Sequence, residues 1–233
     1  MAARLRGCDW IGLEAGLHER GHAVLPKLLQ ARECRELAAY FPEQERFRSR
    51  VIMQRLAFGH GEYKYFSYPL PPSVANLRSA FYPHLVTVAN RWHEALGIDL
   101  RFPDDHATFL ARCRTAGQDR PTPLLLRYEE GGYNCLHQDL YGELVFPLQV
   151  TVLLSRPGRD FDGGEFVLTE QRPRMQSRAE VLHLEQGDAV VFAVRHRPVR
   201  GRRGHYRVNL RHGISRVKRG RRYALGLIFH DAA

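Results

Sequence analysis

The chain has 233 residues, 44% of them hydrophobic, and carries 35 Lys and Arg against 25 Asp and Glu, a formal net charge of +10. This length and apolar content predict one domain, 1–233, with a sizeable core. No apolar run reaches the roughly 18 residues a membrane span needs, the N-terminus is not signal-like, and Cys8, Cys34, Cys113 and Cys135 lack metal-site or disulfide-framework spacing. A cytoplasmic, reduced protein with no membrane partner is expected, and the sequence leaves its oligomeric state open.

In chain order, residues 21–41 (GHAVLPKLLQARECRELAAYF) predict a short strand and then a helix, with Leu29, Leu37, Ala38 and Phe41 at near-helical spacing. Residues 59–72 (GHGEYKYFSYPLPP) set Tyr63, Tyr65, Phe66 and Tyr68 around Lys64. Two readings stand: an aromatic and basic hairpin closing over a site, with Tyr63 and Tyr65 stacking on a base, or an edge strand covering the core. Residues 73–97 carry a longer helical pattern in Leu77, Phe81, Leu85, Val88 and Trp92. Ser73 is its expected cap, Pro83 a kink and Gly97 its end. Residues 1–115 are thus read as strand and helical support with a possible lid.

From residue 121 the pattern changes to short apolar strands broken by Gly, Pro and Asp: PLLLRY, then YNCLHQDLYG after Gly131 and Gly132, FPLQVTVLLS, EFVLTE after Gly163 and Gly164, and VLHLEQGDAVVF. Such a run predicts a mainly β core over 121–231, a double-stranded β-helix (jelly roll, cupin-like), with the N-terminal helices packed on one sheet.

Within that core, His137 and Asp139 are two residues apart, so on a strand they face the same side and can grip one metal. His212 is the expected third ligand. Gly220 is read as a tight turn that pairs the strands on either side and brings His212 and Arg222 into one cavity. Strand alternation turns Arg222 and Ala224 to one face and Arg221 and Tyr223 to the other. Two His and one carboxylate leave three adjacent positions open on an octahedral ion, the arrangement of non-heme Fe(II) oxygenases. A buried Arg offers a planar fork for the far end of a dicarboxylate. His205 and His230 are read as bystanders, and Cys135, two before His137, as a packing residue in preference to one lining the site.

These residues resemble the Fe(II)- and 2-oxoglutarate-dependent dioxygenases over about 121–231. The resemblance implies Fe(II) as the metal, held by His137, Asp139 and His212, with 2-oxoglutarate and O2 as co-substrates and Arg222 on the distal carboxylate of 2-oxoglutarate. It also makes His196, four residues after the strand AVVF, an alternative distal ligand. Where the family often has Ser or Thr two residues after the Arg, this chain has Ala224, so another group such as Tyr128 has to help. RYEEGGYNCLHQD is similar to the AlkB-type nucleic-acid demethylases, in which the residue matching Tyr128 contacts the co-substrate. The Arg-x-Asn signature of that group does not follow His212. A partial form, Arg207-Val-Asn209-Leu-Arg211, precedes it, making Arg207 a candidate substrate contact with Tyr63 and Tyr65. The C-terminal half looks more like uncharacterised bacterial proteins thought to be oxygenases acting on damaged DNA.

Charge distribution bears on the partner. No acidic residue occurs from Ala189 to His230, and 12 of the 35 basic residues fall between Arg195 and Arg222. A positive band at 195–222 suits DNA or RNA. Composition alone also accounts for it, since only Lys27, Lys64 and Lys218 are lysines and an Arg-rich surface need bind nothing. The leading expectation is oxidative demethylation or hydroxylation of nucleic acid. The alternatives are hydroxylation of a protein side chain or free amino acid, and a basic nucleic-acid-binding jelly roll without turnover.

Overall fold

The computed structural model describes residues 2–233. Two short helices, α1 (Ala2–Arg6) and α2 (Trp10–Arg20), lead into β1 (His22–Leu25) and α3 (Ala31–Ala39). Then come β2 (Phe47–Ile52), β3 (Gly59–His60), β4 (Glu62–Phe66), the 24-residue α4 (Pro72–Ala95) and α5 (His106–Thr115). Ten strands follow: β5 (Leu124–Glu129), β6 (Tyr133–His137), β7 (Leu148–Leu153), β8 (Phe161–Gly163), β9 (Phe166–Gln171), β10 (Arg178–Leu182), β11 (Ala189–Ala193), β12 (His196–Gly201), β13 (Gly204–Ile214) and β14 (Val217–Leu227).

The strands form two antiparallel sheets. The larger has the order β1-β11-β7-β14-β5-β4-β2 with β8 attached to β14, and the smaller β10-β9-β13-β6-β3 with β12 attached to β13. This is the jelly roll expected from the strand run.

Strand alternation decides what each face of the larger sheet buries. Val150, Val152, Val191, Leu225 and Leu227 point outward and join Leu17, Leu37, Leu77, Phe81 and Trp92 of α2, α3 and α4 in one core. Their neighbours Leu153, Val190, Phe192 and Tyr128 point inward to a second core shared with Phe166, Leu168 and Ile214 of the smaller sheet. At about 25 cal/mol per Å² of apolar surface, the helix-side core is the larger stabilising term, and the inner face is left to carry polar chemistry.

Several local expectations are corrected. Ser73 lies inside α4, whose N-cap is Pro71, because Pro72 occupies the first turn where a missing N–H costs nothing. Three helices, α1, α2 and α5, escaped the periodicity reading, although the last two have end signals. Asp9 accepts from the Gly12 N–H at 2.9 Å and Gly21, at φ 79, closes α2, while Asp105 caps α5 through the Thr108 N–H at 2.8 Å.

The segment around Tyr63 is neither a lid nor an edge. β4 is paired on both sides, with β2 and with β5. Its Lys64 turns away from Tyr63 and Tyr65, donating to the Phe41 carbonyl at 2.8 Å.

Gly220 is not a hairpin turn. It lies within β14 at φ 80, opposite Phe161 of β8, where an added Cβ would stand 2.1 Å from the Asp160 carbonyl oxygen. The β13–β14 connection is Ser215–Arg216, and it carries the chain from the smaller sheet to the larger, so the two strands do not pair.

The chain end is fastened to α4 through the buried Arg78. Its guanidinium bonds Asp231 Oδ1 at 2.8 Å and the carbonyls of Ile228 and His230 at 2.7 and 3.0 Å. No helix among the described residues is long and apolar enough to cross a membrane.

Candidate metal centre and its cavity

His137 is the last residue of β6, and His212 of β13 is its direct cross-strand partner. Asp139 follows just beyond β6. One possible ligand atom from each of the three lies within 4.8 Å of the others, the only such group of three or more His, Cys, Asp or Glu among the described residues. His137 Nε2 is 3.5 Å from Asp139 Oδ1, and His212 Nε2 is 3.4 Å from Oδ2. His137 Nδ1 lies 2.8 Å from the Cys135 carbonyl oxygen; as a donor there, it leaves Nε2 an electron-pair donor.

The electrostatics suit a cation. Burial by itself would raise the Asp139 carboxyl, but hydrogen bonds and charge from His137 and His212 outweigh it and hold the group well below the carboxylate range. Burial works against protonation of His137, yet Asp139 reverses the balance and raises it. His212 is lowered, by burial first and then by the charge of His137. A buried anion thus faces two imidazoles, a donor set that matches a divalent metal.

These groups line a cavity of about 390 Å³ between the sheets. Its opposite wall belongs to the larger sheet. Arg222 is 1% exposed, its Nε and Nη1 have no hydrogen-bond partner, and burial pushes the guanidinium down to about 10. Tyr128, its cross-strand partner, is also buried, and its hydroxyl makes no sound hydrogen bond. A fully buried, unpartnered cation is costly. Its presence beside the orphaned Tyr128 hydroxyl fits a site shaped for an anion with several oxygens.

The cavity gathers His137, Asp139, His212, Arg222, Tyr128, Tyr63 and Tyr65 as expected. It does not include His196, which lies on β12 and pairs with Asn209 of β13. Arg207 is exposed and lies outside this lining, because β13 alternation turns it opposite to Val208 and Leu210. Cys135 is exposed at the cavity mouth rather than packed, a correction. Of the two bystanders, His205 is exposed and His230 is buried, accepting the Phe146 N–H through Nδ1 at 3.2 Å.

Three lining residues were missed. Gln149 and Thr151 come from β7 and were readable as the only polar residues, both on one face, of an apolar strand. Tyr141 donates to Asp139 Oδ1 at 2.7 Å, and only its place two residues after Asp139 could have suggested it.

The 195–222 band is partly consumed within the fold. Arg197 is buried against Glu170, Arg219 bonds Asp162, Arg221 bonds Glu129 and Arg222 is buried. The other eight basic residues are exposed with no carboxylate partner among the described residues, and one of them, Arg216, lies 5.8 Å over the ring of Tyr133 near the mouth.

Comparison with known proteins places this geometry. Residues 61–232 match a family described as an oxygenase catalysing oxidative methylation of damaged DNA. Uncharacterized proteins of Mycobacterium tuberculosis, strains CDC 1551 and H37Rv, are 51% identical over 168 residues, 72% of this chain and 72% of each relative. Two solved structures share the fold. A prolyl-4-hydroxylase of Pseudomonas putida is 15% identical with a TM-score of 0.55 over 96% of this chain and 99% of its own. An oxidoreductase of the 2OG-Fe(II) oxygenase family from Burkholderia pseudomallei is 17% identical with a TM-score of 0.57 over 97% and 93%.

Proposed function

The chain belongs to the oxygenase family described as acting on damaged DNA, and on that premise we propose that it is an Fe(II)- and 2-oxoglutarate-dependent oxygenase that removes N-methyl groups from nucleic acid by oxidation. The observation that carries the reading is one cavity holding the His137, Asp139 and His212 cluster on one wall and the unpartnered, buried Arg222 on the other. His137, Asp139 and His212 would hold the iron. Arg222, with Tyr128, would hold the far carboxylate of 2-oxoglutarate, and the Tyr128 hydroxyl stands in for the side chain missing at Ala224.

When bound, iron with 2-oxoglutarate and O2 supplies the means to hydroxylate an unactivated C–H bond, with 2-oxoglutarate leaving as succinate and CO2. On an N-methyl group the product is N–CH2–OH, which releases formaldehyde and restores N–H, so oxidation of a methylated base amounts to demethylation.

The protein's residues do the rest. Tyr63 and Tyr65 form an aromatic wall on which a base can stack. The enclosed cavity excludes water from the reacting carbon. Its depth between the sheets requires the base to leave a duplex or arrive in a single strand. The eight free basic residues give the phosphate backbone a salt-dependent attraction.

The test measures succinate formed from 2-oxoglutarate with Fe(II) under air, with and without methylated single-stranded DNA, scoring formaldehyde in the same tube. DNA-dependent formaldehyde supports the whole reading. Succinate without a DNA response keeps the oxygenase and moves the substrate to proteins or small molecules, and absence of succinate removes the catalytic reading.

A further inference from the structure

We propose that Tyr65 and Tyr141 form a positioning relay that holds the Asp139 carboxylate by Oδ1, so that Oδ2 alone is presented to the metal. The inference rests on the metal-centre reading above.

A residue from a distant part of the chain meets two near neighbours here. Tyr65, on β4 of the larger sheet, donates its hydroxyl hydrogen to Tyr141 Oη at 2.9 Å, and Tyr141 donates to Asp139 Oδ1 at 2.7 Å. The direction is fixed at the acid end, because an ionised carboxylate only accepts. A phenol is protonated at neutral pH, so both hydroxyls are available as donors. The Arg48 guanidinium stacks 4.6 Å from the Tyr65 ring centroid on the far side, tethering the outer end of the relay.

The loop that carries Tyr141 is itself pinned. Gln118 donates to the carbonyls of Tyr141 and Leu144 at 3.1 and 3.3 Å and accepts the Leu144 N–H at 2.8 Å. On the other side of Asp139, Gln138 donates to Asn209 Oδ1 and the Leu210 carbonyl at 2.8 and 2.7 Å. Asp139 therefore sits between two anchored neighbours with one oxygen already engaged.

The chemical consequence concerns the number of open positions. A carboxylate gripping a metal with both oxygens uses two sites, and with two imidazoles leaves two of six. A carboxylate held to one oxygen leaves three, enough for a two-point co-substrate and O2. Partners that orient a ligating carboxylate in this way typically change metal affinity about 10–100-fold when removed.

The test uses Co(II) alone as the probe, titrated into metal-free full-length protein and followed by its visible ligand-field spectrum and by calorimetry. Tyr141→Phe is expected to weaken Co(II) binding by about tenfold or more and to change band positions and intensity, with a melting temperature near wild type. Tyr65→Phe is expected to give a smaller change in the same direction, and none when added to Tyr141→Phe, because it acts through that hydroxyl. An unchanged spectrum and affinity in Tyr141→Phe, or additive effects of the two substitutions, overturns the relay. Should Tyr141→Phe not fold, the spectrum of Tyr65→Phe decides alone: a shift supports the relay, identity with wild type overturns it. If wild type itself shows no Co(II) site that Asp139→Ala removes, the metal-centre reading fails and takes the relay with it.

Discussion

Replacing Arg222 by Met is expected to make the metal-free protein more stable while removing its response to 2-oxoglutarate. The guanidinium is fully buried with two of its nitrogens unpartnered, and burial lowers it from 12.5 to about 10. At about 1.36 kcal/mol per unit, the fold holds this charge at a cost of roughly 3 kcal/mol. Because the folded value is depressed for a base, the cost is present in full at pH 7 and is relieved only as pH rises above the folded value. Methionine fills most of the stem, and a residual void takes back about 1 kcal/mol. The net is a gain of about 2 kcal/mol, or a melting temperature higher by about 4–8 °C for a chain of this size. Urea and thermal unfolding of both metal-free proteins measure it. With Mn(II) present and 2-oxoglutarate at 100 times its Kd, wild type should gain about 2.7 kcal/mol and the variant nothing. A variant less stable than wild type, or an equal gain from 2-oxoglutarate in both, refutes the argument that Arg222 is kept for an anion.

Asp139→Ala and His212→Ala should each abolish 2-oxoglutarate turnover and weaken Mn(II) binding without unfolding the protein, whereas His196→Ala should leave both intact; the reverse pattern in calorimetry would move the distal ligand to His196. Gly220→Ala should cost about 2–4 kcal/mol in urea unfolding, since φ 80 and the 2.1 Å approach to the Asp160 carbonyl leave no room for a Cβ, and a neutral result would contradict the strand geometry that aims Arg222. Stability should also fall in mild acid. Burial first, then the Arg78 charge, pushes His106 down to about 4 and His230 to about 3. Below the unfolded value of about 6.5 the unfolded chain takes up protons that these side chains refuse, so roughly 2 kcal/mol per histidine is lost by pH 5. Urea midpoints at pH 7.5 and 5.0 test this, with His106→Gln expected to flatten the dependence and an unchanged midpoint counting against it.

What the sequence disclosed follows the range of each signal. A period of two turned Arg222 and Ala224 to the cavity, because alternation is a local property. The run of strands from residue 121 gave the jelly roll for the same reason. Asp139, by contrast, lies past the end of β6 and reaches His137 from the following loop rather than along a strand. Gly220 misled, since a glycine at positive φ serves a turn or a bend within a strand equally well, and only the partner, Phe161 of β8, decides between them. α2 was overlooked because Leu13, Gly16 and Leu17 bury a narrow stripe on an otherwise weakly patterned helix. Tyr65 and Tyr141 stand 76 residues apart, beyond any local pattern, and were brought together by sheet pairing. Arg207 was singled out by the partial Arg-x-Asn signature it begins, a pattern that is silent on which face of β13 it takes, and alternation puts it on the exposed one.

The two halves of the site sit on opposite layers: the ligand triad on the smaller sheet and its turn, the cation on β14 of the larger. A dicarboxylate spanning them would behave as a non-covalent cross-link between layers. Loosening the sandwich would then break that cross-link and, through the Tyr65–Tyr141 bond that also joins the layers, slacken the metal centre with it. Docking of the layers and loading of the site would therefore rise and fall together, each reporting on the other.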